Sequence, residues 1–245
     1  MHPACHSLRE HGFAVLVSEF DAGELALIRA IVADAWRRAG SPPRGGEFGF
    51  VMHPLIAYAP EMARFYERPR VIAVLRDLFG EEPRLVHNGG LWSDGSRSFT
   101  RWHHHRDDSG DDRDGEAAGS GGLQARIDRV LANVYVDGAT PELGELLVWP
   151  RRVDDPLAGP GFPSDREWAG QEVVRCPPGS VVIFDQSLHH AARPARVDAS
   201  RLIFGGHYQP WSRQAAHRED NAADLPEIRE EIDRSAILRA LVRAR

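Results

Sequence analysis

Lysine is absent from the 245 residues, so all 30 basic side chains are arginine. That absence excludes Schiff-base chemistry through a lysine amine and a phosphate loop of the Gly-Lys-Ser/Thr kind. A ligand carboxylate must instead be held by arginine, a hydroxyl, an amide or backbone. Cysteine is scarce: Cys5 and Cys176 are too few for a disulfide framework or a thiolate zinc site. No stretch approaches the roughly 20 apolar residues of a membrane helix. The start Met1-His2-Pro3-Ala4-Cys5-His6 lacks the basic and apolar regions of a signal peptide, so a soluble, cytoplasmic protein is the expectation. A formal charge of −6 supplies no basic field for nucleic acid or an anionic membrane. What is present is a core-forming supply of apolar residues, 42% of the chain, enough for one large domain.

Gly12 to Phe20 reads as a short strand. Asp21 with Glu24 forms a capping box, Phe20 and Leu25 a hydrophobic staple, and Leu25, Ile28, Val32, Ala35 and Trp36 one apolar helix face. Short helices are expected at Pro60 to Tyr66 and at Pro69 to Phe79, the latter closed by Gly80. Strand character follows at Arg84 to Leu91, Val130 to Val136, Glu145 to Trp149, Val181 to Phe184 and Arg201 to Tyr208. This run of short strands and turns predicts a β sandwich or barrel. A last helix is expected from Asp224 to about Val242. No internal repeat and no linker divides the chain.

One stretch concentrates metal-binding chemistry. Trp102-His103-His104-His105-Arg106-Asp107-Asp108 offers five candidate ligands within six residues. Residues two apart on a strand share a face, so His105 and Asp107 can grip one ion from one side. One more histidine would complete a two-histidine, one-carboxylate face that leaves the opposite side of Fe(II) open. His189 and His190 are both candidates. His103 shares the face of His105 and could point into the pocket beside the ligands, but a partly exposed packing role is the expectation, and His104 faces away. Arg97 and Arg101 are read as solvated, with an anionic substrate group as the alternative. Alternation along the Arg201 strand directs His207 to the pocket. Trp92, Trp102, Trp149 and Trp211 are read as core, and Cys176 as an inert buried thiol.

These motifs resemble the phytanoyl-CoA dioxygenase-type branch of the Fe(II)/2-oxoglutarate-dependent oxygenases. The resemblance runs over nearly the whole chain: the entry strand and helix from Gly12, the helix ending Leu78-Phe79-Gly80, the HxD pair His105 and Asp107, the stretch Gly144 to Pro150, and the strand from Gly179 to His190. Family spacing counts five residues from Asp185 to the distal histidine and eleven from that histidine to the cosubstrate arginine. The resemblance thus implies His105, Asp107 and His190 as iron ligands and Arg201 on the far carboxylate of 2-oxoglutarate, with Asn133 beside the cosubstrate. It implies an α+β chain with a mainly β core, a double-stranded β-helix (jelly-roll, cupin-like) flanked by N-terminal helices and a C-terminal helix. One domain spans 1–245: helical support at 1–83, the jelly roll at 84–211 with a mobile loop at 107–122, and a helical segment at 212–245. The departures are Pro150-Arg151-Arg152-Val153 where the family has PGSH, and Ala192 where it often has a hydroxyl.

The implied activity is oxidation of an unactivated C–H bond of a small molecule with Fe(II), 2-oxoglutarate and O2, by hydroxylation or oxidative cyclisation. Asp107 favours oxygen insertion over halogenation, because the family's halogenating members lack that carboxylate. The resemblance is strongest to compact natural-product tailoring members, some acting on sugars or aminoglycosides and forming orthoesters. Asp108, Asp111, Asp112, Asp114 and Glu116 lie in the glycine-rich loop against Arg113 alone. They favour a cationic or polyhydroxylated substrate over an acyl-CoA. The alternatives are a redox-inactive metal-dependent hydrolase, which would not require Arg201, and a non-catalytic metal-binding jelly roll. Nothing in the sequence marks an oligomeric state.

Overall fold

The structure is a computed structural model and describes residues 2–105, 126–156, 159–213 and 229–242. Its helices and strands run α1 (Pro3–His11), β1 (Phe13–Leu16), α2 (Ala22–Arg38), β2 (Phe50–Met52), α3 (Leu55–Tyr58), a 3-10 helix Pro60–Tyr66 and α4 (Pro69–Phe79). Eight strands follow: β3 (Pro83–Ser93), β4 (Thr100–His103), β5 (Val130–Tyr135), β6 (Leu146–Val148), β7 (Glu172–Val174), β8 (Ser180–Asp185), β9 (His190–Ala192) and β10 (Arg201–Pro210). The chain closes with α5 (Arg229–Arg234) and α6 (Ala236–Val242).

Two antiparallel sheets make the jelly roll. The larger is ordered β1-β8-β5-β10-β3-β2 and the smaller β4-β9-β6-β7. The helices pack on the outer face of the larger sheet. There Phe204 of β10 meets Phe20, Phe65 and Tyr66 at ring-centroid distances of 6.0, 6.5 and 5.7 Å, spacings at which edge-to-face rings attract. The other face of the sheet looks across to the small sheet. Alternation therefore sends Phe204 to the helices, and Arg201, Ile203, Gly205 and His207 to the space between the sheets.

Local signals act as the sequence predicts at α2. Asp21 accepts from the Glu24 amide at 2.9 Å, and Glu24 accepts from the Asp21 amide at 3.0 Å, which satisfies two orphan donors at once. Gly80 ends α4 in the left-handed conformation at φ +73°. Elements without a strong pattern were not anticipated: α1, which begins with proline at its first turn, and the three-residue strands β2, β7 and β9. The single C-terminal helix is corrected to two. Ser235 breaks it, because its hydroxyl accepts from the Leu238 amide and donates to Glu67, a local side-chain bond that ends one helix and caps the next. The segment 107–122 and the expected helix start at 224–228 lie outside the described residues.

Phe204 is fully enclosed between helices and sheet. Phe204→Ala should remove about 4 kcal/mol of stability and lower Tm by about 8–16 °C. Urea unfolding with an unchanged slope would check that the loss is in packing.

Candidate metal centre

β4 and β9 pair antiparallel, with His103 directly opposite His190. Beyond the last ladder position, the His105 amide donates to the Gln186 carbonyl at 2.8 Å. This bond keeps the chain against the β8–β9 connection for two more residues. The result is a cluster in which the donor nitrogens of His103, His105 and His190 all lie within 4.8 Å of one another. Ring centroids stand 4.2 Å apart for His103 and His190, and 5.1 Å for His105 with each of them.

Two of the three rings have their tautomer fixed. His103 Nδ1 lies 2.7 Å from the Arg101 carbonyl and His190 Nδ1 lies 3.0 Å from the Leu188 carbonyl. A carbonyl only accepts, so each Nδ1 carries the proton and each Nε2 keeps its lone pair. Burial, reinforced by the neighbouring imidazoles, holds all three rings below the usual histidine range, so they are neutral and ready to ligate at neutral pH.

The cluster sits at one end of a cavity of about 390 Å³ between the sheets, within the size range of small-molecule sites. A row of rings leads away from it: His105 to His207 at 5.2 Å, His207 to His87 at 4.8 Å, and His87 to His53 at 3.8 Å. His53 Nε2 and His87 Nδ1 are 2.9 Å apart and share a proton. Phe48 and Val51, both exposed, line the cavity as well.

At the other end lie two arginines. Arg201 is 7% exposed and Arg97 2%. Arg201 donates to the Gly144 carbonyl at 2.6 Å, and its Nε has no hydrogen-bond partner. Arg97 donates to the Leu143 and Arg193 carbonyls and to Thr100 Oγ1, and its Nε is likewise unpartnered. Among the described residues neither guanidinium meets a carboxylate. Burial, then the charge of Arg201, pulls Arg97 down to about 9, and burial lowers Arg201 too; both stay cationic at neutral pH. Gly144 makes the arrangement possible: its φ is +82°, and a Cβ there would strike Arg97 and the Arg193 carbonyl.

The residues singled out in the sequence divide as follows. His105, His190, Arg201, Asn133 and His207 all line the cavity. His189 points out of it, against His104 at 4.8 Å and Trp168 at 5.6 Å. Asp107 and the acidic loop lie outside the described residues. Two expectations are corrected: His103 belongs to the donor cluster, and Arg97 is buried in the cavity. Arg101, by contrast, is exposed and paired with Glu47 at 3.3 Å. Tyr135, His53 and His87 were missed. Tyr135 was legible as the next residue on the Asn133 face of β5, and His87 as the first of the alternating series His87, Gly89, Leu91 and Ser93 along β3.

The donor set fits a divalent ion, and the unpartnered arginine nitrogens fit an anion. No family model and no curated protein sequence matches the chain. Solved structures do. HygX from Streptomyces hygroscopicus, with nickel and 2-oxoglutarate bound, shares 21% identity over 92% of this chain and 93% of its own, with a TM-score of 0.66. The non-heme alpha-ketoglutarate-dependent carbocyclase SnoK from nogalamycin biosynthesis shares 18% over 86% and 84%, at 0.63. EctD from S. alaskensis, with 2-oxoglutarate and 5-hydroxyectoine, shares 19% over 85% and 75%, at 0.62. The chain thus shares the jelly-roll fold of these proteins.

Buried neutral histidines make the metal-free protein acid-sensitive. His189 is held at about 4 by burial and by His104, against about 6.5 in the unfolded chain. Above pH 6.5 both states are neutral and the ring contributes nothing. Between 6.5 and about 4 the unfolded chain takes up a proton that the fold refuses, so stability falls as pH falls. Thermal melts of metal-free protein should show Tm dropping across that window, with a shallower drop in His189→Gln.

Proposed function

We propose that the chain is an Fe(II)- and 2-oxoglutarate-dependent oxygenase acting on a C–H bond of a small molecule in natural-product tailoring. One observation carries this: a single cavity holds a cluster of neutral imidazole donors at one end and, at the other, a buried guanidinium that meets no carboxylate among the described residues. An ion alone would need only the imidazoles. An ion that works with a dicarboxylate needs both ends, and Arg201 stands where the family spacing expects the cosubstrate arginine. The likeness to HygX, SnoK and EctD supports the same reading.

His105 and His190 would hold the ion, with the third donor considered below. Fe(II) bound with 2-oxoglutarate and O2 would supply the oxidising chemistry. The chain's own contribution is placement. Arg201, anchored by the Gly144 carbonyl, presents its remaining N–H groups to the far carboxylate of the cosubstrate. Arg97 adds a second positive charge, and Tyr135 and Asn133 offer polar groups on the same wall. Gly205 faces Asn133, where a Cβ would overlap the Asn133 amide oxygen and the Ala132 carbonyl, so the cosubstrate wall keeps its shape only with glycine there. The substrate would enter past Phe48 and Val51, whose exposed apolar surfaces suit the carbon skeleton of a small molecule. HygX has also been solved with hygromycin B bound, and a polyhydroxylated or cationic substrate is proposed here from the acidic residues Asp108 to Glu116.

With Fe(II) and 2-oxoglutarate the protein should release succinate, in step with oxidation of a substrate drawn from an aminoglycoside and polyketide panel. Arg201→Gln should weaken 2-oxoglutarate binding by about 2–3 kcal/mol, or roughly 30- to 150-fold in Kd, at unchanged metal binding. Calorimetric titration of 2-oxoglutarate into metal-loaded protein checks it; parent protein that does not bind the cosubstrate sinks the reading.

A further inference from the structure

The family resemblance implies Asp107 as the third ligand, whereas the described residues already bring three donors together. We infer that the ion is held by His103, His105 and His190, an all-imidazole face without a carboxylate. The inference rests on the metal-binding part of the function proposed above, and it names the ligand that this part leaves open.

Three observations carry it. The first is register. His103 is the ladder partner of His190 across β4 and β9, and directly opposed residues hold their Cβ atoms about 4.5–5.5 Å apart. Two imidazoles so placed can reach one ion, and His105, two residues on, projects to the same side. The second is orientation. His103 and His190 each donate Nδ1–H to a backbone carbonyl at 2.7 and 3.0 Å, which leaves Nε2 as the free donor on both. This outer bond is what ligating histidines usually carry. The third is distance. All three donor atoms lie within 4.8 Å of one another. Ligand bonds of about 2.1 Å on a facial or tetrahedral ion put donors roughly 3.0–3.4 Å apart, so modest ring rotation closes the set.

The consequence is electrostatic. Three neutral imidazoles leave a dication its full charge. Glu47 is the one carboxylate that lines the cavity among the described residues, and it is engaged by Arg101. A dianionic cosubstrate would then neutralise the ion, where a carboxylate ligand would leave the complex negative. Imidazole-rich sites also favour the later first-row dications.

The test uses the full chain stripped of metal, with Co(II) as the titrant and Cu(II) as the spectroscopic probe. Asp107→Ala should keep Co(II) affinity within about threefold of the parent. His103→Ala should lose more than roughly 100-fold, beyond what an outer-sphere change removes. If His103→Ala fails to fold by circular dichroism, His103→Gln takes its place. His105→Asp supplies a carboxylate between His103 and His190 and should retain Co(II). In the parent, the Cu(II) electron paramagnetic resonance spectrum should show coupling to three imidazole nitrogens, a signature that a merely structural His103 would not give. Two nitrogens in the parent, loss of Co(II) on Asp107→Ala beyond tenfold, or its retention without His103 overturns the inference. Failure of the Co(II)-loaded protein to bind 2-oxoglutarate would instead sink the proposed activity and leave the ligand assignment standing.

Discussion

β9 is three residues long and is paired on both edges, to β4 through His190 and His103 and to β6 through Val148, Leu147 and Leu146. The site depends on this double pairing. A strand so short has little stability of its own, yet enclosure by two neighbours leaves it no freedom to slip. A slip of one residue would turn His190 out of the cavity and His189 in. Trp168 and His104 occupy the outer side and hold His189 there, and Phe184 of the facing sheet packs on the His190 ring at 4.7 Å. Register, not side-chain chemistry alone, therefore decides which of two adjacent histidines can face an ion.

The cavity this creates is unusual in its charge. It is lined by six imidazoles and two buried guanidiniums. Burial holds His103, His105, His190 and His207 below the usual histidine range, and these rings meet the low dielectric by remaining neutral. The guanidiniums cannot do so, and among the described residues Arg97 and Arg201 donate only to carbonyl and hydroxyl oxygens. Carbonyl dipoles solvate a buried cation without cancelling it. Under the proposed function, a dicarboxylate would supply the negative charge that these dipoles do not. The same reasoning disfavours a purely hydrolytic zinc site, which would have no use for two buried guanidiniums.

Much of the fold was legible because the determining signals are local. The capping box at Asp21, the glycine at position 80 and the alternation of β5 and β10 each act over a few residues. That His190 and Arg201 line one cavity was legible through the family spacing, since one strand and one connection separate them. What escaped was whatever depends on pairing between distant segments. β9 has no pattern of its own at three residues. His103 was assigned to packing because sequence cannot say which residue it will oppose. Arg97 looks solvated in the polar run Ser96-Arg97-Ser98, and only Gly144, far along the chain, lets its guanidinium reach buried carbonyls.

The stretch that departs from the family motif shows how the geometry survives. Arg151 follows β6 where a different sequence was expected, and it is buried against Asp185 at 3.1 Å and Ser187 at 2.9 Å. Asp185 also accepts from the Ser187 amide at 3.2 Å. These bonds tie down residues 185–188, the turn whose Gln186 carbonyl receives the His105 amide and whose Leu188 carbonyl orients His190. A buried ion pair adds little net stability against a well-packed apolar alternative, but breaking one half is severe. Its value here is positional. One turn, fixed by one guanidinium, sets the placement of two imidazoles in the donor cluster, and that geometry does not depend on the PGSH sequence.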